Sequence, residues 1–356
     1  MWNRLHIIAR NAGKRFSVHF MNAVEPNRKW VIEGCNEFDS VCWNLKLHYF
    51  RGIPIRFSAK YVFSVIQGGG HLILGSSWND LNVITIILLK RFGIIDNKIS
   101  FWSEANRYTV GATKYSKMKF AIRRYILNSA DGNYFVPGRM AEITLLEWGV
   151  SCSGRLVKLP NLPHESFDSN LGTWVGGRNS APVLTVVARM DESTKGILNF
   201  LKALGKERIR SVSLRLIGSG PDEVKYADWI ASEGVDDCVQ LMGELPSKQI
   251  IKFLQESDGF VLPSLSDSSP LSLVEAIKIG VPILVSRRCG NHYECLAEGV
   301  NGFGFDPDSH GDIRKAFDLF IEAKKSWRAF GHGSLELAKI NFDSDAVLRN
   351  LADHLD

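Results

Sequence analysis

Short apolar runs alternate along the chain with segments whose apolar residues recur every three to four positions, the signature of β-α-β units around parallel sheets. In the first half "HLILGSS" precedes a helical run from Leu81 to Phe92; then come "KISFW", a basic helix from Lys114 to Leu127, "NYFVPG" and a helix from Arg139 to Trp148. The rhythm is plainer in the second half, where "VLTVVA", "SLRLIG", "CVQLMG", "GFVLP" and "PILVS" each lead into a helix or loop. The stretch from Asn161 to Pro182 keeps neither period and is rich in Gly, Asn, Ser and Pro, so it predicts a boundary between two α/β domains.

Composition changes this picture little. A chain of 356 residues, 45% hydrophobic and 23% charged, has ample material for two cores. Its most apolar run, Val83 to Leu89, falls far short of the roughly 20 residues a spanning helix needs, and the N-terminal segment has no small-residue cleavage site of a secretory signal. Six cysteines without a C-x-x-C pair suit reduced thiols in a cytoplasm better than a disulfide framework or a zinc site. Charge is more informative. Residues 1–160 hold 22 Lys and Arg against 10 Asp and Glu, and the remainder holds 21 against 28, so a half at +12 precedes a half at −7. A basic half can face nucleic acid, an anionic membrane surface or a phosphate-bearing substrate, or it can be solubilising lysines that cluster by chance.

Ligands of such folds bind at the carboxyl ends of the strands, and the candidate chemistry of this chain sits there. In "VVARMDESTKG" the cations Arg189 and Lys195 lie in a strand-to-helix loop, where side-chain charge and helix amides together suit a diphosphate; the alternative is a lysine that only solvates a helix start. In "LIGSGP" Gly218 and Gly220 end a strand and Pro221 is expected at the first position of a helix, a fragment of a phosphate loop or a simple tight turn. A third loop, Leu265 to Ser269, carries Asp267 and leads into "PLSLVEAIKIG", a helix that Pro270 starts and Gly280 ends, with Leu271, Val274 and Ile277 expected against the sheet. Glu275 falls off that stripe, and an acid inside so apolar a helix requires a partner. Each carboxylate can accept from two neighbouring hydroxyls, so the pair can hold a sugar and a ribose; otherwise Asp267 merely caps the helix.

In their order along the chain, "ARMDESTKG", "GSGP", "LMGELP", "FVLPS", then Asp267 with "PLSLVEAIKIGVPI" after it, and "CGNHYECLAEGVNGFGFDP" resemble the motifs of the family 4 retaining glycosyltransferases over Pro182 to about Pro307. The resemblance implies the GT-B fold, two Rossmann-like domains facing each other across a cleft. It implies an acceptor domain over 1–165, a nucleotide-sugar donor domain over 166–340, and a last helix over 341–356 that can cross back to the first domain. It implies that Arg189 and Lys195 bind the donor diphosphate beside Gly218 and the amides near Leu271, that Asp267 contacts the donor sugar, and that Glu275 holds the ribose. Asp267 stands where the family usually has Glu, one methylene longer. Asn161 in "VKLPNLP" matches the family's hinge, whereas the usual N-terminal glycine-rich loop is not visible in "FSVHFMNAVEPNRKW". "FWSEANRY" occupies a strand end at which relatives place a histidine or an acid, so Ser103 and Glu104 are candidates on the acceptor side, or Glu104 is a solvated loop acid.

The implied activity retains anomeric configuration and needs no metal or other cofactor. The form of the last motif is most similar to transferases of bacterial surface polysaccharides, which implies a lipid-linked glycan acceptor and a peripheral place on the inner face of the plasma membrane. The helix from Lys114 to Leu127 groups Met118, Ala121, Ile122, Tyr125 and Ile126 among Lys114, Lys117, Lys119, Arg123 and Arg124, so it can lie on an anionic membrane or pack that apolar face into a core. Two other classes compete. A nucleic-acid-binding protein would want aromatics interleaved along its basic stripe, and the acidic, motif-bearing second half argues against it; an inactive GT-B scaffold is opposed by the retention of Arg189, Lys195 and Glu275.

Overall fold

The structure is a computed structural model that describes residues 57–75, 80–108, 117–176 and 181–354, with residues 6–7, 10–11, 13, 15–20, 40–43, 48–50 and 53–55 before them. Two small pairs come first: β1 (Val18–Phe20) runs parallel to β2 (Ser40–Cys42), and β3 (His48–Phe50) antiparallel to β4 (Ile53–Ile55). Most of "FSVHFMNAVEPNRKW" lies outside the described residues.

The first half is organised by a parallel sheet of β5 (His71–Leu74), β6 (Lys98–Trp102), β7 (Tyr134–Val136) and β8 (Leu156–Lys158), in that order. Around it lie α1 (Ala59–Gly68), α2 (Leu81–Arg91), α3 (Lys117–Asn128) and α4 (Arg139–Glu147). Asp80 starts α2 by accepting from the amides of Asn82, at 2.8 Å, and Val83. Side chains on a strand alternate between faces, and β7 uses both. Tyr134 and Val136 join Ile86, Ile87, Ile126, Leu127 and Leu145 on one side, while Phe135 turns to the other.

The second half is a six-stranded parallel sheet built from β9 (Val183–Val187), β10 (Ser213–Ile217), β11 (Val239–Gly243), β12 (Gly259–Leu262), β13 (Ile283–Ser286) and β14 (Gly302–Phe305). Its order is β11-β10-β9-β12-β13-β14. The helices, in chain order, are α5 (Glu192–Lys195), α6 (Ile197–Ile209), α7 (Glu223–Glu233), α8 (Ser247–Glu256), α9 (Leu271–Ile279), α10 (His292–Cys295), α11 (His310–Glu322) and α12 (Trp327–Phe342). Leu184 and Val186 of β9 pack with Phe200 and Leu201 of α6 and with Phe317 and Phe320 of α11. Phe260 and Leu262 of β12 pack on the other face with Leu254 of α8 and with Leu273, Val274 and Ile277 of α9. Apolar side chains buried this completely contribute about 1.5–3 kcal/mol each.

Two expectations about faces and starts fail. Leu271 does not pack on the sheet beside Val274 and Ile277: it is 41% exposed, because it occupies the first turn of α9, beyond the strand end, and Leu273 and Ala276 take the inward positions. Pro221 does not open α7, which begins at Glu223 after a turn. A last helix, α13 (Ser344–Asp353), follows α12 at once and lies on the first half: Val347, Leu348 and Leu351 complete a cluster with Phe135, Val157 and Leu159. Asn350 Nδ2 donates to the Lys158 carbonyl at 3.1 Å across the same contact.

The described part of the basic helix, α3, turns only part of its apolar set inward. Ile126 and Leu127 are buried, while Met118, Ile122 and Tyr125 are 67%, 42% and 49% exposed, with Lys117, Lys119 and Arg124 exposed among them. Arg123 is the exception among the cations. It is buried, and its guanidinium stacks 3.8 Å from the Trp148 ring. Lys114 lies outside the described residues. Among the described residues no helix is long and apolar enough to cross a membrane.

Candidate functional site

In the six-stranded sheet the chain runs outward in one direction from β9 and in the other from β12, and these two strands are neighbours. Loops leaving adjacent strands toward opposite edges open a crevice between their carboxyl ends. One loop carries Arg189 and leads to α5; the other, residues 263–270, carries Asp267 and leads to α9. They are tied together, because the Ser266 amide donates to the Thr194 carbonyl at 3.1 Å.

Lys195, the last residue of α5, donates from Nζ to the Asp267 carboxylate in a largely buried ion pair. Both candidates therefore meet at the crevice and satisfy each other. Arg189 stays exposed, its guanidinium with no hydrogen-bond or ion-pair partner among the described residues, while the following Met190 is buried in the core beneath it. The loop rests directly on the "GSGP" turn. Gly218 has φ of 137°, and a Cβ there would collide with the Ala188 carbonyl oxygen, so only glycine lets the two strand ends approach. Met190 N donates to Ser219 O at 2.9 Å and Asp222 N to Met190 O at 3.0 Å, and Asp222 Oδ2 accepts from the Glu192 amide at 2.7 Å, which fixes the start of α5. In this structure Gly218 thus serves the shape of the loop that carries the cations.

Glu275 lies one turn inside α9. It is partly buried, its carboxylate has no hydrogen-bond or ion-pair partner among the described residues, and burial pushes it up to about 7. The partner that sequence reasoning required of it is therefore not supplied by the described protein. Leu271, at the N-terminus of the same helix, presents the first turn to solvent; Pro270 before it has no side chain with which to cap the amides.

Glu104 is exposed, and its Oε1 accepts from Asn161 Nδ2 at 2.6 Å, so it engages Asn161 rather than Asp267 or Lys195. Ser103 donates its amide to Phe135 O at 2.9 Å within the sheet edge. The residue of "FWSEANRY" that reaches the crevice is Asn106, fully buried, whose Nδ2 donates to Asp267 O at 2.6 Å and to Arg288 O at 3.0 Å. A second contact between the halves was also missed: Glu294 of α10 is buried, burial pushes its carboxyl up, and its Oε1 accepts from the Arg139 amide at the start of α4 at 2.8 Å. Among the described residues no group of three or more His, Cys, Asp or Glu is placed to hold a metal ion.

Comparison with known proteins bears on the same region. Residues 175–334 match the family model "Glycosyl transferases group 1". The amylovoran biosynthesis glycosyltransferase AmsK of Erwinia amylovora is 33% identical over 125 residues, which are 33% of this chain and 30% of that protein. The match thus spans under a third of the relative's length. Among solved structures, the apo lipopolysaccharide outer core galactosyltransferase WaaB superposes with a TM-score of 0.70 at 15% identity, covering 99% of this chain and 93% of that one. Anabaena HepE in complex with UDP superposes with a TM-score of 0.68 at 14% identity, covering 89% and 86%. Likeness at these identities carries the fold, which is GT-B.

Proposed function

We propose that this chain, whose residues 175–334 form a group 1 glycosyl transferase domain, is a retaining glycosyltransferase that moves a sugar from a nucleotide-sugar donor to a lipid-linked glycan acceptor in the assembly of a surface polysaccharide. The observation that carries the reading is Glu275, a carboxylate that the fold partly buries and leaves without a donor among the described residues, one helical turn from the Lys195–Asp267 pair's own loop. Two vicinal ribose hydroxyls would supply the two donors it lacks. On this reading residues 166–340 are the donor domain and residues 1–165 the acceptor domain.

Arg189, Lys195 and the amides at Leu271 bind the diphosphate, and Asp267 accepts from hydroxyls of the donor sugar. Lys195 then exchanges part of its contact with Asp267 for the diphosphate, so the pair opens as the donor arrives. The acceptor hydroxyl attacks the anomeric carbon from the face the nucleotide leaves. The bond from that carbon to the phosphate oxygen breaks, the new glycosidic bond forms, and the departing phosphate oxygen takes the hydroxyl proton. The cations and helix amides stabilise the charge that develops on the diphosphate, so no metal is required. AmsK is named for amylovoran biosynthesis and WaaB for the lipopolysaccharide outer core, and HepE holds UDP; these names support a polysaccharide product and a uridine donor.

A lipid-linked acceptor requires a membrane, and the +12 half with the exposed Met118, Ile122 and Tyr125 of α3 among Lys117, Lys119 and Arg124 supplies a surface for an anionic one at the cytoplasmic face. The test is a thermal-shift panel of UDP, GDP and dTDP sugars with and without a chelator. At least one sugar nucleotide should raise the melting temperature, equally with chelator present. No shift from any of them would overturn the reading, and a shift without turnover on any acceptor extract would favour the inactive scaffold.

A further inference from the structure

We propose that Asn106 is a positioning residue that fixes the Asp267 loop from the opposite half of the molecule and so makes sugar transfer depend on the two halves being together. The inference rests on the donor-site reading above. Asn106 leaves the carboxyl end of β6 in the first half and is fully buried. Its two amide hydrogens go to main-chain carbonyls of the second half, Asp267 O at 2.6 Å and Arg288 O at 3.0 Å, and its own Oδ1 accepts from the Tyr108 amide at 2.9 Å. These three partners admit one orientation of the amide. The Tyr108 ring lies 5.0 Å from the Arg288 guanidinium, so the same loop grips the second half twice.

The peptide unit that Asn106 holds is the one next to the Asp267 carboxylate. The Asp267 carbonyl accepts from Asn106 and also from the Gly290 amide at 2.9 Å. Rotation of that carbonyl would turn Cα and swing the carboxylate that pairs with Lys195. Gly290 belongs to the same device: a Cβ there would collide with the Ser268 carbonyl, and its contact with Asn106 Nδ2 would be 3.3 Å. Asp267 and Asn106 lie 161 residues apart, in loops that follow strands of different sheets. The bond can therefore exist only when the halves approach, and a donor bound to an open form would meet an Asp267 loop with one anchor instead of two. Misplacement of a sugar-holding group by a fraction of an ångström lowers the transfer step without removing the donor's phosphate contacts.

Asn106→Asp and Asn106→Ala test this. The first keeps the shape and the oxygen facing Tyr108 and replaces the donor with an oxygen facing two carbonyls; the second removes the side chain. Hydrogen exchange followed by mass spectrometry should show amides of residues 264–270 exchanging at least about tenfold faster in both variants while β9 and β10 are unchanged. With the sugar nucleotide giving the largest thermal shift in the panel, kcat should fall by about tenfold or more while donor KM stays within about threefold. Unchanged exchange in both variants, or a loss confined to KM, would overturn the proposal. Should the wild-type protein bind no sugar nucleotide, it is the donor reading that fails, and the exchange experiment still decides whether Asn106 anchors the loop.

Discussion

Replacing Glu275 with Gln should stabilise the ligand-free protein and weaken the donor complex, and the first effect should grow with pH. Below the ordinary 4.5 the carboxyl is protonated in both folded and unfolded chains and costs nothing. Between 4.5 and about 7 the unfolded chain ionises while the folded site still holds its proton, so stability falls as pH rises; above about 7 the whole penalty is present. At roughly 1.4 kcal/mol per pH unit, that interval sets an upper limit of about 3.5 kcal/mol. Solvent reaches part of the carboxylate, so a gain of about 1–2 kcal/mol at pH 8 is the working figure. Urea midpoints at pH 5.5, 7 and 8 measure it, with the slope m expected to stay constant. In the presence of donor the order reverses, because a bond between a ribose hydroxyl and a charged acceptor is worth about 1.5–3 kcal/mol, or about tenfold to a hundredfold in Kd. A variant that is no more stable than wild type at pH 8, or whose advantage is the same at pH 5.5, would refute the claim that an unpartnered, partly buried carboxylate is being held ready for a ligand.

Arg189→Ala and Lys195→Ala should each weaken donor binding and lower turnover together by about tenfold or more, since each removes a charge-assisted contact to the diphosphate; unchanged kinetics in both would sink the assignment. Vesicle flotation should show binding that requires anionic lipid and weakens with salt, over a Debye length of about 8 Å at physiological ionic strength. Changing Lys117, Lys119 and Arg124 to Gln should lower that binding by roughly 1 kcal/mol per cation with donor affinity intact, and equal binding to neutral vesicles would remove the membrane from the reading. Arg123 belongs outside that set, because its packing on Trp148 makes its loss a matter of folding.

The second half was legible because its chemistry is local. Arg189 and Asp267 lie in the loops that leave two strand ends, and Lys195 and Glu275 lie in the helices those loops enter; a strand end flanked by Gly or Pro is marked in the sequence itself, and the alternation of periods then pointed to two α/β units. Faces were less legible. The spacing of Met118, Ile122 and Tyr125 shows that they share one side of a helix, but it gives no sign of which side meets the sheet, and here Ile126 and Leu127 turn inward instead. Leu271 carried the right spacing for the buried stripe and sits outside because its helix starts beyond the sheet edge. Asn106 was passed over in favour of the charged Glu104 two residues earlier. A neutral amide has no charge to single it out, and its partners are 161 and 182 residues away. Short strands such as β8, of three residues, are too brief to show a period at all.

The last helix has a consequence for how the molecule comes into being. Phe135, Val157 and Leu159 of the first half are covered by Val347, Leu348 and Leu351, residues a ribosome adds nearly two hundred positions after Leu159. At about 5–20 residues per second, the first half spends about ten seconds or more without that cover while the second half is made. A nascent chain in that interval exposes an aromatic and aliphatic patch that any chaperone for apolar segments can hold. A chain cut short before residue 347 keeps the patch for good: its second half can fold on its own sheet, and its first half is left to aggregate or to be degraded.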